Sequence, residues 1–354
     1  MSILGLDIGG ANIKASDAVW RAISRPFAIW RQPELLKDQI SSILSEYPLT
    51  DTVAVTMTAE LADCFSTKAE GVRFVLDAVE QGICEWEARE RSASADHRAQ
   101  LRPVSMIVWS TDGEFVQSVT AKENHLKVAA GNWHALSTWS GPLVPVGTGL
   151  IVDIGTTTTD LVPMKDGKPV PQGLTDVSRM QCGELSYSGI RRTPLCAIAN
   201  SVPFRDGYSP LAAEVFATTL DVHLLLEHIA DDEHDLETAN GKPATRAAAH
   251  DRMARMLCCD RDEMSLGEAV QIAKFLCDVQ RQRLAGSLER VLRRIGSPCE
   301  TVILSGSGTF LARRLIEENR TTAGATVISL ADRLSPTVAE SACAFAVAQL
   351  AANG

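Results

Sequence analysis

The segment that is most informative about the fold is Ile151-Val-Asp-Ile-Gly-Thr-Thr-Thr-Thr-Asp-Leu-Val162. Apolar and β-branched residues on both sides predict two strands joined by a tight turn. Gly155 allows an anion to approach the backbone, and further donors come from the hydroxyl groups of Thr156, Thr157 and Thr158. Asp153, at the end of the first strand, is suited to hold the Mg²⁺ that accompanies a phosphate. The segment therefore predicts a phosphate-binding turn.

The chain opens with the same arrangement, Ile3-Leu-Gly-Leu-Asp-Ile-Gly-Gly-Ala-Asn-Ile-Lys14. Asp7 corresponds to Asp153 as a metal ligand, and the phosphate-binding candidates are Gly9, Gly10, Asn12 and Lys14. A single turn of this kind is compatible with an ordinary hairpin. Two copies about a domain apart predict a duplicated βββαβα unit, with the two turns facing a central cleft.

A third motif, Thr301-Val-Ile-Leu-Ser-Gly-Ser-Gly308, predicts a buried strand that ends in a loop at a helix start. Free N–H groups at a helix start attract anions. The sequence therefore adds three phosphate-binding candidates: Gly306, Ser307 and Gly308.

Composition excludes several classes of protein. The net charge of −10 argues against nucleic-acid binding, because no basic stripe is available to displace counterions. The nine cysteines are scattered without Cys-x-x-Cys spacing, so the sequence predicts neither a zinc site nor a disulfide framework. The absence of a leader-like start or a long apolar run predicts a cytoplasmic protein without a membrane partner.

Local patterns predict the intervening elements. Strands are expected at 3–8, 13–15, 22–30, 52–58 and 104–109, and helices at 67–82, 126–139, 210–229, 245–258, 265–296 and 336–352. His223 and His228 fall within one predicted helix, where a five-residue spacing separates their faces, so no metal is assigned to them. The loop after the strand 52–58 contains Glu60, at a strand end where α/β proteins usually bind ligands.

The three motifs in this order resemble the actin, sugar kinase and Hsp70 superfamily. The resemblance implies an α/β fold, the actin-like ATPase fold, with two ribonuclease-H-like domains. We expect the first domain at 1–145 and the second at 146–354, with a helical insertion around 205–296. The last helix, 336–352, is expected to pack back on the first domain.

Within that superfamily the segment 152–161 resembles the hydantoinase/oxoprolinase group. A more specific resemblance to the methanofuran-pathway synthases, also described as tetrahydromethanopterin-linked C1-transfer pathway proteins, lies in Asp7 to Ala15, Thr56-Met-Thr-Ala-Glu-Leu-Ala-Asp-Cys-Phe65, Gly183-Glu-Leu and Arg191-Arg-Thr-Pro194. It implies a Mg²⁺-dependent transferase that joins an aminomethylfuran diphosphate to a tyramine-type phenol and releases pyrophosphate. Its partners would be small-molecule substrates.

Two other functions use the same turns. One is an ATP-dependent small-molecule kinase or ATPase of the hydantoinase/oxoprolinase type, and the other is a noncatalytic nucleotide sensor. The transferase differs in that ATP, although it could bind, is not expected to be required. Its phenol needs a base, for which Glu60 is the first candidate and Glu184 the second. A loop carboxylate that caps a helix or pairs with an arginine is the structural alternative for both. The oligomeric state is left open.

Overall fold

The computed structural model describes residues 2–93, 103–296 and 298–354. Its strands are β1 (Ile3–Ile8), β2 (Asn12–Asp17), β3 (Ala22–Pro26), β4 (Thr52–Met57), β5 (Ser105–Trp109), β6 (Phe115–Gln117), β7 (Thr148–Ile154), β8 (Thr159–Lys165), β9 (Lys168–Pro169), β10 (Leu185–Ser186), β11 (Ser201–Phe204), β12 (Gly207–Pro210), β13 (Thr301–Ser305) and β14 (Thr326–Ser329).

The α-helices are α1 (Leu36–Glu46), α2 (Lys68–Ala93), α3 (Ser118–Glu123), α4 (His125–Val128), α5 (Asn132–Trp139), α6 (Asp176–Cys182), α7 (Leu195–Ile198), α8 (Thr219–Leu225), α9 (Arg246–Arg255), α10 (Leu266–Ile295), α11 (Thr309–Glu317), α12 (Leu330–Arg333), α13 (Pro336–Glu340) and α14 (Ala342–Asn353). Short 3-10 helices lie at Pro33–Leu35, Ala59–Leu61 and Gly141–Leu143. Among the described residues, no helix is both long and apolar enough to cross a bilayer.

The chain forms two compact units that alternate along the sequence. Unit 1 comprises Met1–Gly149, Val162–Arg179 and Leu330–Gly354, and unit 2 comprises Leu150–Leu161 and Met180–Ser329. The domains expected at 1–145 and 146–354 follow the duplicated motifs and stay a prediction.

The sheet of unit 1 has the strand order β3-β2-β1-β4-β5-β6. β1, β2 and β3 form an antiparallel meander, whereas β1, β4 and β5 run parallel. In this register Asp7 lies opposite Lys14 on β2 and opposite Thr56 on β4. Side chains opposite each other in a ladder share a face of the sheet, so these three residues are neighbours at the carboxyl end of β1.

Helices pack closely on this sheet because small residues line the contacts. α14 packs against β1, β2 and β4, and its buried side chains include Ala344, Ala346 and Ala348. A Cβ atom at Gly5 of β1 would lie only 2.0 Å from the carbonyl oxygen of Ala344. Any side chain at Gly5 would therefore push α14 away from the sheet.

A second sheet has the order β10-β8-β7-β13-β14, with β9 paired to β8. In unit 2 the helices α8, α9 and α10 pack against one another. The guanidinium group of Arg252 donates a 2.6 Å hydrogen bond to Asp221, and both side chains are almost fully buried. Because each buried charge is compensated by the other, removing either one alone would be strongly destabilising.

Three predicted helices are interrupted in the structure, and the one predicted at 336–352 divides at Ser341 into α13 and α14. The helix predicted at 210–229 is restricted to α8, because Thr218 and Asp221 form a capping box that begins it and Glu227 has a positive φ of 58°. The helix predicted at 126–139 divides into α4 and α5, because Ala130 between them has a φ of 47°. A left-handed residue cannot continue an α-helix. The break at Ala130 places a loop at the end of the sheet of unit 1.

Candidate functional site

The two predicted turns have the same internal hydrogen bond. In the first turn the N–H of Gly9 donates to the carbonyl oxygen of Asn12 at 2.9 Å. In the second turn the N–H of Gly155 donates to the carbonyl oxygen of Thr158, also at 2.9 Å. The glycine that follows Asp-Ile therefore closes a four-residue turn in both copies.

The correspondence extends to the parallel strand beside each turn. The N–H of Thr58, just after β4, donates to the carbonyl oxygen of Ile8 at 2.9 Å. The N–H of Gly308, just after β13, donates to the carbonyl oxygen of Ile154 at 2.8 Å. The loop that contains Glu60 is thus the counterpart of the third glycine loop.

The first turn directs two N–H groups away from the segment that binds its carbonyl groups. The carbonyl oxygens of Gly10 and Ala11 accept hydrogen bonds from the N–H groups of Ile29 and Phe27, at 3.0 and 2.8 Å. In a trans peptide the C=O and N–H point in opposite directions, so the N–H groups of Ala11 and Asn12 face away from those donors. A Cβ atom at Gly10 would meet no described atom within 4 Å. There is open space for an anion beside this turn.

The second turn is held in the same way within unit 2. The carbonyl oxygen of Gly155 accepts a hydrogen bond from Ile190 at 3.0 Å, and that of Thr156 accepts one each from Arg191 and Arg192, both at 3.0 Å. The N–H groups of Thr156 and Thr157 consequently point away from these donors. The arginine pair, which opens the motif Arg191-Arg-Thr-Pro194, supports the turn through its backbone.

Gly189 lets the segment before the arginine pair pack closely against the second turn. A Cβ atom at Gly189 would lie 2.5 Å from the peptide that joins Thr156 to Thr157. The amide nitrogen of Gln280 donates to the Gly189 carbonyl oxygen at 2.9 Å, and Gln280 is only 1% exposed. The long helix α10 thereby fixes the segment on which the second turn rests.

Asp7 is a buried carboxylate beside the first turn. Its Oδ1 atom is buried and has no hydrogen-bond partner among the described residues, and the same is true of the Thr56 hydroxyl oxygen. Burial raises the pKa of Asp7, while the charge of Lys14 and the side chain of Asn132 act in the opposite direction. Unpaired buried oxygen atoms are costly unless something binds them. This corner of unit 1 therefore fits a bound cation.

Glu60 is the second buried carboxylate of unit 1. It is 1% exposed, and burial raises its pKa to about 7. The pKa is lowered by its own N–H, by the charge of Lys68 and by the N–H of Ala130, and it is raised by the charge of Asp176. Lys68 and Asp176 form an ion pair at 2.5 Å. At neutral pH the Glu60 carboxyl group can therefore both take up and release a proton.

The backbone of Glu60 is held in place by the helix that follows it. A Cβ atom at Gly71 of α2 would lie 2.2 Å from the Glu60 carbonyl oxygen. Oε2 of Glu60 is buried without a hydrogen-bond partner among the described residues. The side chain is thus both desolvated and fixed at its base, which suits an acid–base group.

The loop between α4 and α5 lies beside both Asp7 and Glu60. Ala130 adopts its left-handed conformation beside Glu60, and Asn132 interacts with Asp7. Between them, a Cβ atom at Gly131 would lie 3.6 Å from the Thr56 hydroxyl oxygen. Three consecutive residues therefore contact the surroundings of both carboxylates.

The third glycine loop packs directly on the second turn. Gly306 has a φ of 81°, and a Cβ atom there would lie 2.3 Å from Oδ1 of Asp153. A Cβ atom at Gly308 would lie 2.5 Å from the side chain of Ile154. Both glycines are explained by this contact, whereas the side chain of Ser307 is exposed. A role of the three residues in phosphate binding stays a prediction.

Comparison with known proteins gives the family of this chain. The model of the hydantoinase/oxoprolinase family matches residues 51–353. The chain belongs to the hydantoinase/oxoprolinase family. It is therefore a member of an enzyme family, as the motifs predicted.

Two curated relatives of this family member carry the same name, (4-{4-[2-(gamma-L-glutamylamino)ethyl]phenoxymethyl}furan-2-yl)methanamine synthase. The protein from Methanocaldococcus jannaschii is 30% identical over 352 residues, which cover 98% of this chain and 97% of that protein. The protein from Methanococcus vannielii is 29% identical over 204 residues, which cover 58% of this chain and 90% of that protein. The family resemblance read from the motifs is confirmed.

Among solved structures, the nucleotide-free acetone carboxylase is similar to this chain with a TM-score of 0.58. The match covers 98% of this chain and 70% of that one, at 12% sequence identity. At that identity the likeness concerns the fold alone. The chain has the α/β, actin-like ATPase fold, as predicted.

Glu184 of this family member has a different environment from Glu60. Its carboxylate accepts a 2.8 Å hydrogen bond from Arg294, and it is 1% exposed. Arg294 also donates to the carbonyl oxygen of Cys182 at 2.6 Å. This pairing matches the structural alternative stated for Glu184, so Glu60 is the better candidate for a base.

Three residues near the site were not among the site residues predicted from the sequence: Thr56, Ala130 and Asn132. The sequence could have indicated Thr56 as a site residue, because it lies near the carboxyl end of a predicted strand, and in the structure that strand pairs with β1 beside Asp7. Gly131-Asn132 within a predicted helix was a second signal, because both residues are poor helix formers. The left-handed conformation of Ala130 has no such signal in the sequence.

Proposed function

We propose that the chain is a transferase that condenses an aminomethylfuran diphosphate with a tyramine-type phenol and releases pyrophosphate. The product would serve the biosynthesis of a methanofuran-type C1-carrier coenzyme. The name shared by the relatives describes a phenoxymethyl furan, which is an ether between a phenol oxygen and a CH₂ group on the furan. The relative from Methanocaldococcus jannaschii matches almost the whole chain, which supports carrying this chemistry over.

The observation that supports this function most directly is the state of Glu60. A phenol ionises only near pH 10, so its oxygen is a weak nucleophile at neutral pH. A buried carboxylate with a pKa of about 7 can accept the phenolic proton and still be ionised in a useful fraction of molecules. The hydrogen-bond partner that Oε2 lacks would be the phenol hydroxyl.

The bond changes balance without any further reactant. The phenol oxygen attacks the CH₂ group while its proton passes to Glu60, and the bond from that CH₂ to the diphosphate oxygen breaks. The electron pair of this bond leaves with pyrophosphate. The furan stabilises positive charge on the adjacent carbon, so neutralising the charge of the leaving group is the main remaining requirement.

In unit 1, the residues fit a magnesium ion. Hard oxygen ligands are those that Mg²⁺ prefers, and the unpartnered buried oxygen of Asp7 is of that kind. We assign Asp7 as a Mg²⁺ ligand, with Asp153 as the matching candidate of the second turn. When bound, the ion would neutralise charge on the diphosphate.

The backbone of the turns would bind the phosphate oxygens. In unit 1 the donors are the N–H groups of Ala11 and Asn12, together with the half-buried Lys14 beside Asp7. In unit 2 they are the N–H groups and hydroxyls of Thr156 and Thr157. Fixed peptide dipoles suit a protein of net charge −10, because they attract a diphosphate without requiring additional positively charged side chains.

The test is an assay without nucleotide. The pure protein is incubated with Mg²⁺, the aminomethylfuran diphosphate and γ-glutamyltyramine, and both pyrophosphate and the coupled ether are measured. We expect equal amounts of the two products, and no change when ATP is added. If coupling fails and ATP is consumed in the presence of a small acceptor, the chain is instead a kinase or ATPase.

A further inference from the structure

Three side chains with metal-binding atoms meet in unit 2: His223, His228 and Cys277. One ring nitrogen from each histidine and the Sγ of Cys277 all lie within 4.8 Å of one another. The Nδ1 atoms of the two histidines are 3.2 Å apart. The sequence predicted no metal at these histidines and no zinc motif among the cysteines.

The end of α8 explains how the two histidines meet. The sequence interpretation placed both on one long helix, where a spacing of five residues separates them. In the structure α8 ends at Leu225, and Glu227 turns the chain with a φ of 58°. The N–H of His228 then donates to the His223 carbonyl oxygen at 2.9 Å. The chain thus folds back and brings the second imidazole beside the first.

Cys277 comes from α10, which packs against α8. Its side chain is 3% exposed, and that of His223 is fully buried. His228 is exposed and gives the cluster an approach from solvent. The set therefore combines fixed buried ligands with an accessible one.

The chemistry and the spacing both suit a transition metal. Nitrogen and thiolate sulfur are the ligands that Zn²⁺ favours, whereas Mg²⁺ and Ca²⁺ favour oxygen. With Zn–N bonds of about 2.0 Å, two nitrogen ligands of a tetrahedral site lie roughly 3.3 Å apart. The Nδ1 atoms are 3.2 Å apart, close to that distance.

We propose that His223, His228 and Cys277 form a binding site for a divalent transition-metal ion, with Zn²⁺ as the expected ion. Three protein ligands leave one position of a tetrahedral site for water. This site is separate in chemistry and in residues from the magnesium position assigned to Asp7.

The surroundings are compatible with the charge of an ion. The charge of Arg314 acts on His228 and Cys277, and that of Arg281 acts on Cys277. Both arginines are engaged by carboxylates: Arg314 pairs with Glu318 at 3.1 Å and with Asp278 at 3.4 Å, and Arg281 pairs with Asp278 at 3.5 Å. Phe310 forms an apolar wall, with ring centroids 5.1 Å from His223 and 5.0 Å from His228. Such a wall limits water and strengthens ligand–metal contacts.

A bound ion would stabilise the packing of the helices near the third glycine loop. It joins α8 to α10 and contacts Phe310, which lies on α11 two residues after Gly308. An ion that binds the folded state and not the unfolded chain stabilises the fold by mass action. We therefore expect Zn²⁺ to raise the melting temperature of the full chain.

The experiment titrates Co²⁺ into the metal-free full chain and follows absorbance. We expect a thiolate-to-cobalt charge-transfer band together with tetrahedral d–d bands, which saturate at one ion per chain and disappear when Zn²⁺ is added. Cys277→Ser should lose the charge-transfer band. Cys299→Ser is the matched control, because Cys299 is also 3% exposed and lies in the same unit outside the cluster; it should keep the band.

A second variant avoids the risk of misfolding. His228→Gln changes an exposed side chain, and we expect it to weaken Zn²⁺ binding at least about 100-fold, since even supporting residues cost up to that much. The proposal is overturned if wild type shows no saturable cobalt spectrum, if Cys277→Ser keeps the charge-transfer band, or if His228→Gln binds Zn²⁺ as tightly as wild type. None of these measurements depends on the proposed transferase activity.

Discussion

At the scale of single residues, the charge on Glu60 depends on an ion pair next to it. Lys68 and Asp176 act on Glu60 in opposite directions and bind each other at 2.5 Å. Lys68 favours the ionised carboxylate, and Asp176 disfavours it. Burial is the largest cause of the raised pKa, and the two partners act on that pKa in opposite directions, so replacing them can be used to move it.

Replacing each partner should shift the pH dependence in opposite directions. A base acts when ionised, so kcat/KM of the wild type should fall as the pH drops below about 7. Lys68→Met removes a positive charge and exposes Glu60 to Asp176, which raises the pKa and moves this limb to higher pH. Asp176→Asn does the reverse. The measurement is kcat/KM between pH 5 and pH 9, where one pH unit on the limb is about tenfold in rate.

Equal shifts of the same sign in both variants would contradict the assignment of Glu60 to this limb. Arg205→Gln provides a control, because its ion pair with Glu268 lies on the surface of unit 2. That variant should leave the limb in place.

The sequence could indicate Glu60 but not its pKa. The residues from Thr52 to Thr58 predict a strand on their own, and Glu60 follows that strand in the sequence. Its pKa depends on tertiary packing: Gly71 of α2 packs against the Glu60 backbone, and the N–H of Ala130, from a later loop, lowers the pKa that burial raises. Glu184 has a similar position in a loop, and only the structure distinguishes the two, through Arg294.

At the scale of elements, the turn at Gly9 to Asn12 can be tested by filling its open side. Gly10→Ala adds a methyl group where no described atom lies within 4 Å, so the fold should be unaffected. A bound diphosphate would meet that methyl group, and we expect KM for the diphosphate to rise about tenfold or more, which corresponds to roughly 1.4 kcal/mol of lost binding. Steady-state kinetics and thermal unfolding provide the measurement.

Gly324→Ala is the matched control, because its Cβ atom also meets no described atom within 4 Å. It lies in unit 2 just before β14, away from all three motif loops. An unchanged KM in Gly10→Ala would show that no ligand approaches this side of the turn. Gly306→Ala is a poor substitute, since its Cβ atom would collide with Asp153 and its positive φ would be strained.

The motifs predicted the turns well because turn chemistry is local. Asp-Ile-Gly after an apolar strand gave the same Gly N–H to carbonyl hydrogen bond in both copies. The helices predicted at 126–139 and 210–229 failed for the opposite reason. Their breaks at Ala130 and Glu227 use a left-handed conformation that alanine and glutamate normally avoid, so neither residue type signals the break in the sequence.

At the scale of the whole molecule, the fold and family rest on matches along nearly the entire chain. The family model covers residues 51–353, and the relative from Methanocaldococcus jannaschii aligns with 98% of the chain. Each of the two units has one Asp-Ile-Gly turn, in which two carbonyl groups accept hydrogen bonds from a neighbouring segment and the N–H groups of the same two peptides point the opposite way. The proposed chemistry needs a phosphate site and a base, and unit 1 contains candidates for both.

The central claim is that Glu60 takes the proton from the phenol as the ether forms. Its most direct test compares wild type with Glu60→Gln on two acceptors, γ-glutamyltyramine and a ring-fluorinated analogue whose phenol is already ionised at the assay pH. We expect Glu60→Gln to lower kcat/KM about 100-fold or more with the ordinary phenol, and far less with the fluorinated one, which has no proton to give up. An equal loss with both acceptors would contradict the claim and assign Glu60 a structural role.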